Sequence, residues 1–470
     1  MPTLAFSPAR ALRWTTDVFV VPVGEGFLVY APLRRAAFLA RAPLVNRMAD
    51  LRDGAADGAA PENADLIGLL RRLGIVDGAE DDAPPVTRFE GPPRPTTVTL
   101  FLTTGCNLRC TYCYASAGDT PLRVMDIETA KHGIDFVVQN AIELGRDTFE
   151  LAFHGGGEPT TNWKALVAAH KYASTRARET GLRLRASTAT NGVISDERLD
   201  WIIAHLDGAS LSIDGIPEVH DAHRVDARGK GSSSAVLHTI ERLDAAGFPY
   251  GLRVTVTRDS IPRLAESIRF LCARFHPKGL QVEPAYQLGR WSGAPSAETE
   301  DFLDAFRAAR AEARALGQDI SFSGARLGTA SNHFCGVSQD NYCVTADGSV
   351  SSCYEVFLEG DPRAETFLYG RYDASAATYR FDADVLDRLR RRTVDQLPYC
   401  QGCFAKWSCG GDCFHKALAV GGPDFQGTER CHVIRELTLD QILERISDSG
   451  GLVWHDLGPA TSRACGKEFL

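Results

Sequence analysis

The stretch Thr103-Thr-Gly-Cys-Asn-Leu-Arg-Cys-Thr-Tyr-Cys-Tyr114 follows directly on the apolar run Val98–Leu102. It places Cys106, Cys110 and Cys113 in a C-x3-C-x2-C spacing on one short loop. Three thiolates so placed can hold three irons of a cubane cluster. A [4Fe–4S] cluster takes four ligands, so the fourth iron stays open to a small molecule. A zinc loop or three unrelated buried thiols fit the same residues, and the rest of the chain has to decide.

Outward from this loop, apolar strand patterns alternate with amphipathic helical patterns. The strands are Thr97–Leu102, Thr148–Phe153, Leu182–Ala189, Ala209–Ile213, Tyr250–Thr257 and Leu280–Ala285. Helical patterns follow each, at Ile127–Leu144, Trp163–Thr180, Asp196–His205, Ser233–Ala246, Ile261–Phe275 and Ala297–Leu316. Six β-then-α units predict an α/β fold with a parallel sheet. In such folds functional groups gather at the strand C-termini. The cysteine loop lies after the first strand. His154-Gly-Gly-Gly-Glu-Pro159 lies after the second, Thr188-Ala-Thr-Asn-Gly192 at the third, and Ser210-Leu-Ser-Ile-Asp-Gly215 at the fourth, followed by His220-Asp-Ala-His-Arg224. Glycines let a backbone approach a ligand closely, and Glu158 can hold an ammonium group. Gly229-Lys-Gly-Ser232 lacks the full spacing of a phosphate loop and reads as a plain helix start. Cys272, amid Ile268, Leu271 and Phe275, reads as a buried core thiol.

The cysteine loop, with an aromatic at Tyr112, and the Gly-Gly-Glu turn one β/α unit later resemble the radical S-adenosylmethionine enzymes. The resemblance implies a partial (β/α)6 barrel over residues 97–316. It also implies an open iron that chelates S-adenosylmethionine, and one-electron cleavage of the sulfonium to a 5′-deoxyadenosyl radical. Site roles come with it residue by residue. Cys106, Cys110 and Cys113 hold the cluster, and Tyr112 stands beside them. Gly156, Gly157 and Glu158 meet the methionyl amine. Asn191, Ser212 and Asp214 contact the ribose and methionine. Arg224, read from its own chemistry, can neutralise the carboxylate, although a surface salt bridge fits it equally.

Eight further cysteines fall in residues 317–449: Cys335, Cys343 and Cys353, then Cys400, Cys403, Cys409 and Cys413 in a C-x2-C-x5-C-x3-C run, then Cys431. With Gly348 five residues before Cys353, this resembles the SPASM extension of the same enzymes. The resemblance implies two auxiliary [4Fe–4S] clusters, three clusters in all. Cys335, Cys343, Cys353 and Cys413 would hold one, and Cys400, Cys403, Cys409 and Cys431 the other. A fully ligated cluster can take the electron that a substrate radical loses when a new bond forms. A pair of tetrahedral zinc sites would also use eight thiolates. Val433–Ile446 reads as a helix, and the 450–470 tail carries Cys465, whose role the sequence leaves open.

Asp17–Pro22 and Gly26–Ala31 read as two strands, and helical patterns follow at Arg34–Leu39, Pro43–Arg52 and Asn63–Arg72. Residues 1–78 thereby resemble the winged-helix-like domains that bind a leader peptide by strand addition, although a plain structural cap has the same pattern. The acidic, proline-rich 79–96 stretch reads as a linker.

Composition limits the rest. A formal charge of −9 argues against nucleic-acid binding. No apolar run spans a bilayer, no secretory h-region is present, and thirteen cysteines without one point to a reducing, cytoplasmic setting. The expectation is an enzyme that oxidatively modifies a ribosomally made peptide or small protein, forming a thioether or carbon-centred cross-link. A flavodoxin or ferredoxin would supply electrons. An anaerobic sulfatase maturase is the alternative. Those relatives place an aspartate directly after the cysteine that corresponds to Cys353, whereas here Tyr354 stands there and Glu355, a candidate acid/base, comes one later. A non-catalytic iron–sulfur or zinc protein is the alternative from another class.

Overall fold

The computed structural model describes residues 12–78, 86–294, 298–421 and 427–456. Fourteen strands are described: β1 Phe19–Val23, β2 Gly26–Ala31, β3 Ala36–Ala40, β4 Thr97–Leu100, β5 Thr148–Phe153, β6 Arg183–Thr190, β7 Gly208–Ser212, β8 Tyr250–Val256, β9 Gly279–Pro284, β10 Cys343–Val344, β11 Ser349–Ser351, β12 Leu368–Asp373, β13 Thr378–Phe381 and β14 Val453–His455. They form two sheets. One has the order β13-β12-β11-β10-β4-β5-β6-β7-β8-β9, the other β1-β2-β3-β14.

Strands β4 to β9 pair in parallel in chain order, as right-handed β/α units do when each helix returns the chain along the sheet. Alternation along β8 shows how the sheet divides its faces. Leu252, Val254 and Val256 are buried in the core, whereas Arg253 and Thr255 line the central cavity. The helix at Ile127–Glu143 packs so closely that a Cβ at Gly133 would stand 3.1 Å from Val344 and 3.3 Å from Val98. Its start is fixed by Asp126, whose carboxylate accepts from the Thr129 N–H at 2.8 Å.

The C-terminal segment continues the same sheet instead of folding apart. The two residues of β10 pair in parallel with β4, and β11 to β13 extend the edge as an antiparallel meander. The helix expected at Val433–Ile446 runs from Glu429 to Asp448, with Cys431 in its first turn. The Gly229–Ser232 turn is a helix start. The Asp221 carboxylate accepts from the Ser233 N–H at 2.7 Å and occupies the place an anion would take. Cys272 is buried in the core at 5% exposure.

Three expectations at the chain ends differ from the structure. Residues 34–39 are not a helix. After a turn at Arg35 with φ 49°, Ala36–Ala40 forms β3, paired along its length with β2. Alanine and leucine favour helices locally, but pairing and burial of Ala36, Ala37 and Phe38 override a weak propensity. The 450–470 stretch is not simply a tail, since Val453–His455 pairs antiparallel with β3. Cys465 lies outside the described residues. The described part of the 79–96 stretch is strapped down: Thr87 exchanges hydrogen bonds with the Asn332 side chain at 3.1 and 3.0 Å, and Arg88 pairs with Asp395. A proline-rich segment has few N–H groups for a sheet, and that of Thr87 is met by a side chain of the C-terminal segment. The N-terminal segment also touches the cysteine-rich region. Asp17 accepts from Lys406 Nζ at 2.6 Å and from Trp407 Nε1 at 2.7 Å.

Candidate active site

The C-terminal ends of the parallel strands enclose a cavity of about 320 Å³. Cys106, Cys110 and Cys113 line it, as do Tyr112, Gly156, Gly157, Glu158, Asn191, Ser212 and Arg224. From the C-terminal segment, Tyr354, Glu355 and Lys416 reach the same space. Of the residues expected at the cofactor, Asp214 alone does not line the cavity.

The two motif turns are built onto one another. The Glu158 N–H donates to the Gly105 carbonyl at 2.9 Å. Gly155 and Gly156 have φ of 64° and 73°, in the left-handed region that favours glycine. A Cβ at Gly157 would stand 2.0 Å from the Gly105 oxygen. Gly157→Ala therefore forces the cysteine loop away from the glycine turn. We expect it to weaken S-adenosylmethionine binding at least tenfold with little loss of overall fold, as read by equilibrium binding alongside circular dichroism.

Glu158 is buried. Its Oε1 accepts from Thr160 N and Oγ1 and from Thr190 Oγ1, and its Oε2 accepts from Asn191 N at 2.7 Å. Burial raises its pKa, and these donors oppose the rise. Asn191 is likewise fixed. Its Nδ2 donates to Asn107 Oδ1 at 2.7 Å, with Cys106 Sγ at 3.6 Å.

Asp214 acts from behind the wall. It accepts from Arg224 Nε at 3.0 Å, from the Thr255 N–H at 3.1 Å, and from the Tyr112 hydroxyl. The Arg224 guanidinium lies 5.2 Å from the Tyr112 ring centroid. Asp214 thus sets Tyr112 and Arg224, and those two meet the cavity. Burial opposes its charge, but Arg224 and His220 prevail and hold its pKa below the ordinary value.

Arg290 carries no motif signal, yet it clamps the cysteine loop. It donates to the carbonyls of Cys110 and Ala117, and its backbone N–H donates to the Cys113 carbonyl at 3.0 Å. A glycine before it is required, because a Cβ at Gly289 (φ 55°) would lie 2.2 Å from the Tyr114 carbonyl oxygen.

Tyr354 stacks on His154 with ring centroids 4.7 Å apart. Glu355 Oε2 stands 2.8 Å from His415 Nδ1, within ion-pair distance but off the line of a hydrogen bond. Burial opposes the Glu355 charge, yet His415 and the nearby Lys416 and Arg253 bring its pKa down to about 2. His415 belongs to no sequence motif and is reached only through the fold.

Among the described residues, no three His, Cys, Asp or Glu side chains converge closely enough to hold one metal ion. The thiols nevertheless sit in groups. Burial raises the Cys106 pKa to about 12, and Glu158, Cys110 and Cys113 add to the rise. Cys353 is raised by burial, then by Glu355, Cys413 and Cys335, and Cys335 also raises Cys343. Cys400 is raised by burial, then by Cys403 and Cys431, and Cys431 also raises Cys409. Buried thiols that disfavour one another's charge gain most from a cationic centre that takes them as thiolates.

Comparison with known proteins agrees with this geometry. Residues 100–271 match the Radical SAM superfamily. That segment is a radical SAM domain, which marks the chain as an enzyme and implies S-adenosylmethionine and a [4Fe–4S] cluster. An uncharacterized protein of Methanocaldococcus jannaschii is 30% identical over 37% of this chain, and the chain spans 57% of that relative's length. The mycofactocin maturase MftC of Mycolicibacterium smegmatis is 28% identical over 72% of this chain and 84% of its own. Among solved structures, anSMEcpe with bound AdoMet superposes with a TM-score of 0.60 at 18% identity, over 75% of this chain and 99% of that one. At that identity the likeness concerns the fold.

Proposed function

We propose that the protein is a peptide maturase that oxidatively modifies a ribosomally made peptide or small protein, forming a thioether or a carbon-centred cross-link. One observation carries this reading. A single cavity joins the cysteine loop and the Gly-Gly-Glu turn to Tyr354 and Glu355, which directly follow Cys353. The similarity to a maturase over most of both chains supports it.

When bound at Cys106, Cys110 and Cys113, the cluster and S-adenosylmethionine supply a 5′-deoxyadenosyl radical that removes a hydrogen atom from the substrate. Two further [4Fe–4S] clusters are assigned to Cys335, Cys343, Cys353 and Cys413, and to Cys400, Cys403, Cys409 and Cys431, in line with the grouping of those thiols. The chain's own residues do the rest. Glu158, Asn191, Ser212 and Arg224 orient the cofactor, and Asp214 and Arg290 hold that wall in place. Glu355, with His415 beside it, would accept the proton that leaves with bond formation, and a cluster held by the C-terminal thiols would take the accompanying electron. Residues 1–78 are assigned to the leader. Strand β14 covers β3, while the outer edge of β1 has no partner strand among the described residues, so a leader can add there by main-chain hydrogen bonds. We assign residues 79–96 as the connecting strap, 97–316 as the barrel and 317–449 as the SPASM region. A flavodoxin or ferredoxin supplies electrons, in the cytoplasm. No described helix is long and apolar enough to cross a membrane.

Co-expression with a short peptide encoded beside this gene, followed by mass spectrometry, tests the reading. Loss of two hydrogens per cross-link is expected, and an unmodified peptide counts against it. The sulfatase-maturase reading keeps one observation in its favour, since Glu355 brings a carboxylate into the cavity although Tyr354 holds the expected position. A peptide Cys or Ser oxidised to an aldehyde would decide for it.

A further inference from the structure

A buried lysine ties the start of the N-terminal sheet to the cysteine-rich region. Lys406 stands in the run Cys403-Phe-Ala-Lys-Trp-Ser-Cys409 and is 5% exposed. A lysine so buried needs an anion. Among the described residues its ion-pair partner is Asp17, at 2.6 Å, and Asp17 also accepts from Trp407 Nε1 at 2.7 Å. The Lys406 ammonium lies 5.8 Å from the ring centre of Phe19, the first residue of β1. Leu33, in the turn after β2, packs in one cluster with Val394, Leu397, Cys400 and Trp407. Asp17 itself has φ 59°, in the left-handed region that an L-residue seldom adopts without support. The two bonds from Lys406 and Trp407 supply that support, two residues before β1. Strand β3 is held differently: it lies between β2 and β14, with Ala36, Ala37 and Phe38 buried.

We propose that Asp17 is a positioning residue that couples β1 to the metal state of the Cys403–Cys409 loop. Thiolates that share one centre remove most of the freedom of a loop anchored at both ends. Cys403 and Cys409 are the two ends of this one. Filling the group therefore fixes Lys406 and Trp407, and through them Asp17 and the start of β1. Such a coupling is reciprocal, so Asp17 in its place also helps the loop to keep its metal. The consequence for function rests on the peptide-maturase reading, which assigns the outer edge of β1 to the leader. That edge is fully formed in the iron-loaded chain, and an unloaded chain does not hold a leader unproductively.

Hydrogen exchange read by mass spectrometry tests the coupling on the full chain, once iron-free and kept reduced, and once anaerobically reconstituted with iron and sulfide. The Phe19–Val23 amides should exchange about tenfold or more slowly in the loaded chain, while those of Ala36–Ala40 change little. Asp17→Asn should erase the difference at β1, and should yield about four irons, one cubane's worth, more readily to a chelator. Asp17→Glu should restore part of both effects. Trp407→Phe keeps the ion pair and loses one bond, so it should fall between, and it gives the same reading should Asp17→Asn fail to fold. Equal exchange at β1 in the loaded and iron-free chains overturns the proposal. So does a difference that survives undiminished in Asp17→Asn, or one that β1 and β3 share, which would make iron act on the whole sheet and not through Asp17. Iron content and cleavage of S-adenosylmethionine are measured in the same preparations. A loaded, active chain with no effect at β1 loses the coupling alone, whereas a chain that takes up no iron loses the functional reading and the coupling with it.

Discussion

A variant with Cys106, Cys110 and Cys113 all replaced by alanine should cleave no S-adenosylmethionine, yet retain about eight of about twelve irons, two cubanes' worth of three. The three thiols line the cavity with the Gly-Gly-Glu turn, on a loop held by Arg290 and by Gly105. The other eight sit in two groups of their own in the C-terminal segment. Removing the first set therefore takes away the proposed place of S-adenosylmethionine activation and leaves the rest of the sheet intact. Iron analysis and chromatography of 5′-deoxyadenosine check both halves. Residual cleavage would place the chemistry elsewhere, and loss of all iron would mean that the thiols do not form separate sites.

Arg430→Met should destabilise the fold by about 3–5 kcal/mol, the usual cost of stranding buried charges. Arg430 is 5% exposed. It donates to Asp412 Oδ1 at 2.9 Å, to Glu283 Oε2 at 2.9 Å and to Ser323 Oγ at 3.0 Å. It thereby ties the end of β9 to the turn before Cys413. Removing it strands the buried Asp412 carboxylate and leaves Glu283 only the more distant Lys416, whereas replacing Glu283, Asp412 and Arg430 together by neutral residues should recover much of the loss. The same triad sets a pH dependence. Burial alone would raise the Glu283 pKa, but Arg430 and Lys416 lower it from 4.5 to about 2. A carboxylate with a depressed folded-state pKa contributes its stability above the unfolded value. That contribution is thus complete above pH 4.5 and lost as the pH falls towards 2. Urea unfolding across this window should show the decline in the native chain and a shallower one in the triple neutral variant.

The barrel was legible because each strand and helix carries its own period. Thr148–Phe153, Trp163–Thr180 and Asp196–His205 have the same bounds in sequence and structure. The motif residues were legible for another reason: they sit at successive strand ends, and the sheet order alone brings them to one cavity. What stayed hidden depends on distant partners. β10 is two residues long and exists through its pairing with β4. β3 resembles a helix until β2 lies beside it, and β14 has no signal apart from β3. Asp214 looked like a ligand contact, yet it is a support for Tyr112 and Arg224. Arg290, His415 and Arg430 gain their roles chiefly from Cys110, Glu355 and Glu283, 60 to 180 residues away, beyond the reach of any local pattern.

The most direct test of the central claim is anaerobic reconstitution of the whole chain with iron and sulfide, followed by reduction with S-adenosylmethionine present. The account predicts about twelve irons per chain, three cubanes' worth, and release of 5′-deoxyadenosine. Two zinc ions per chain with no cleavage of S-adenosylmethionine would contradict it.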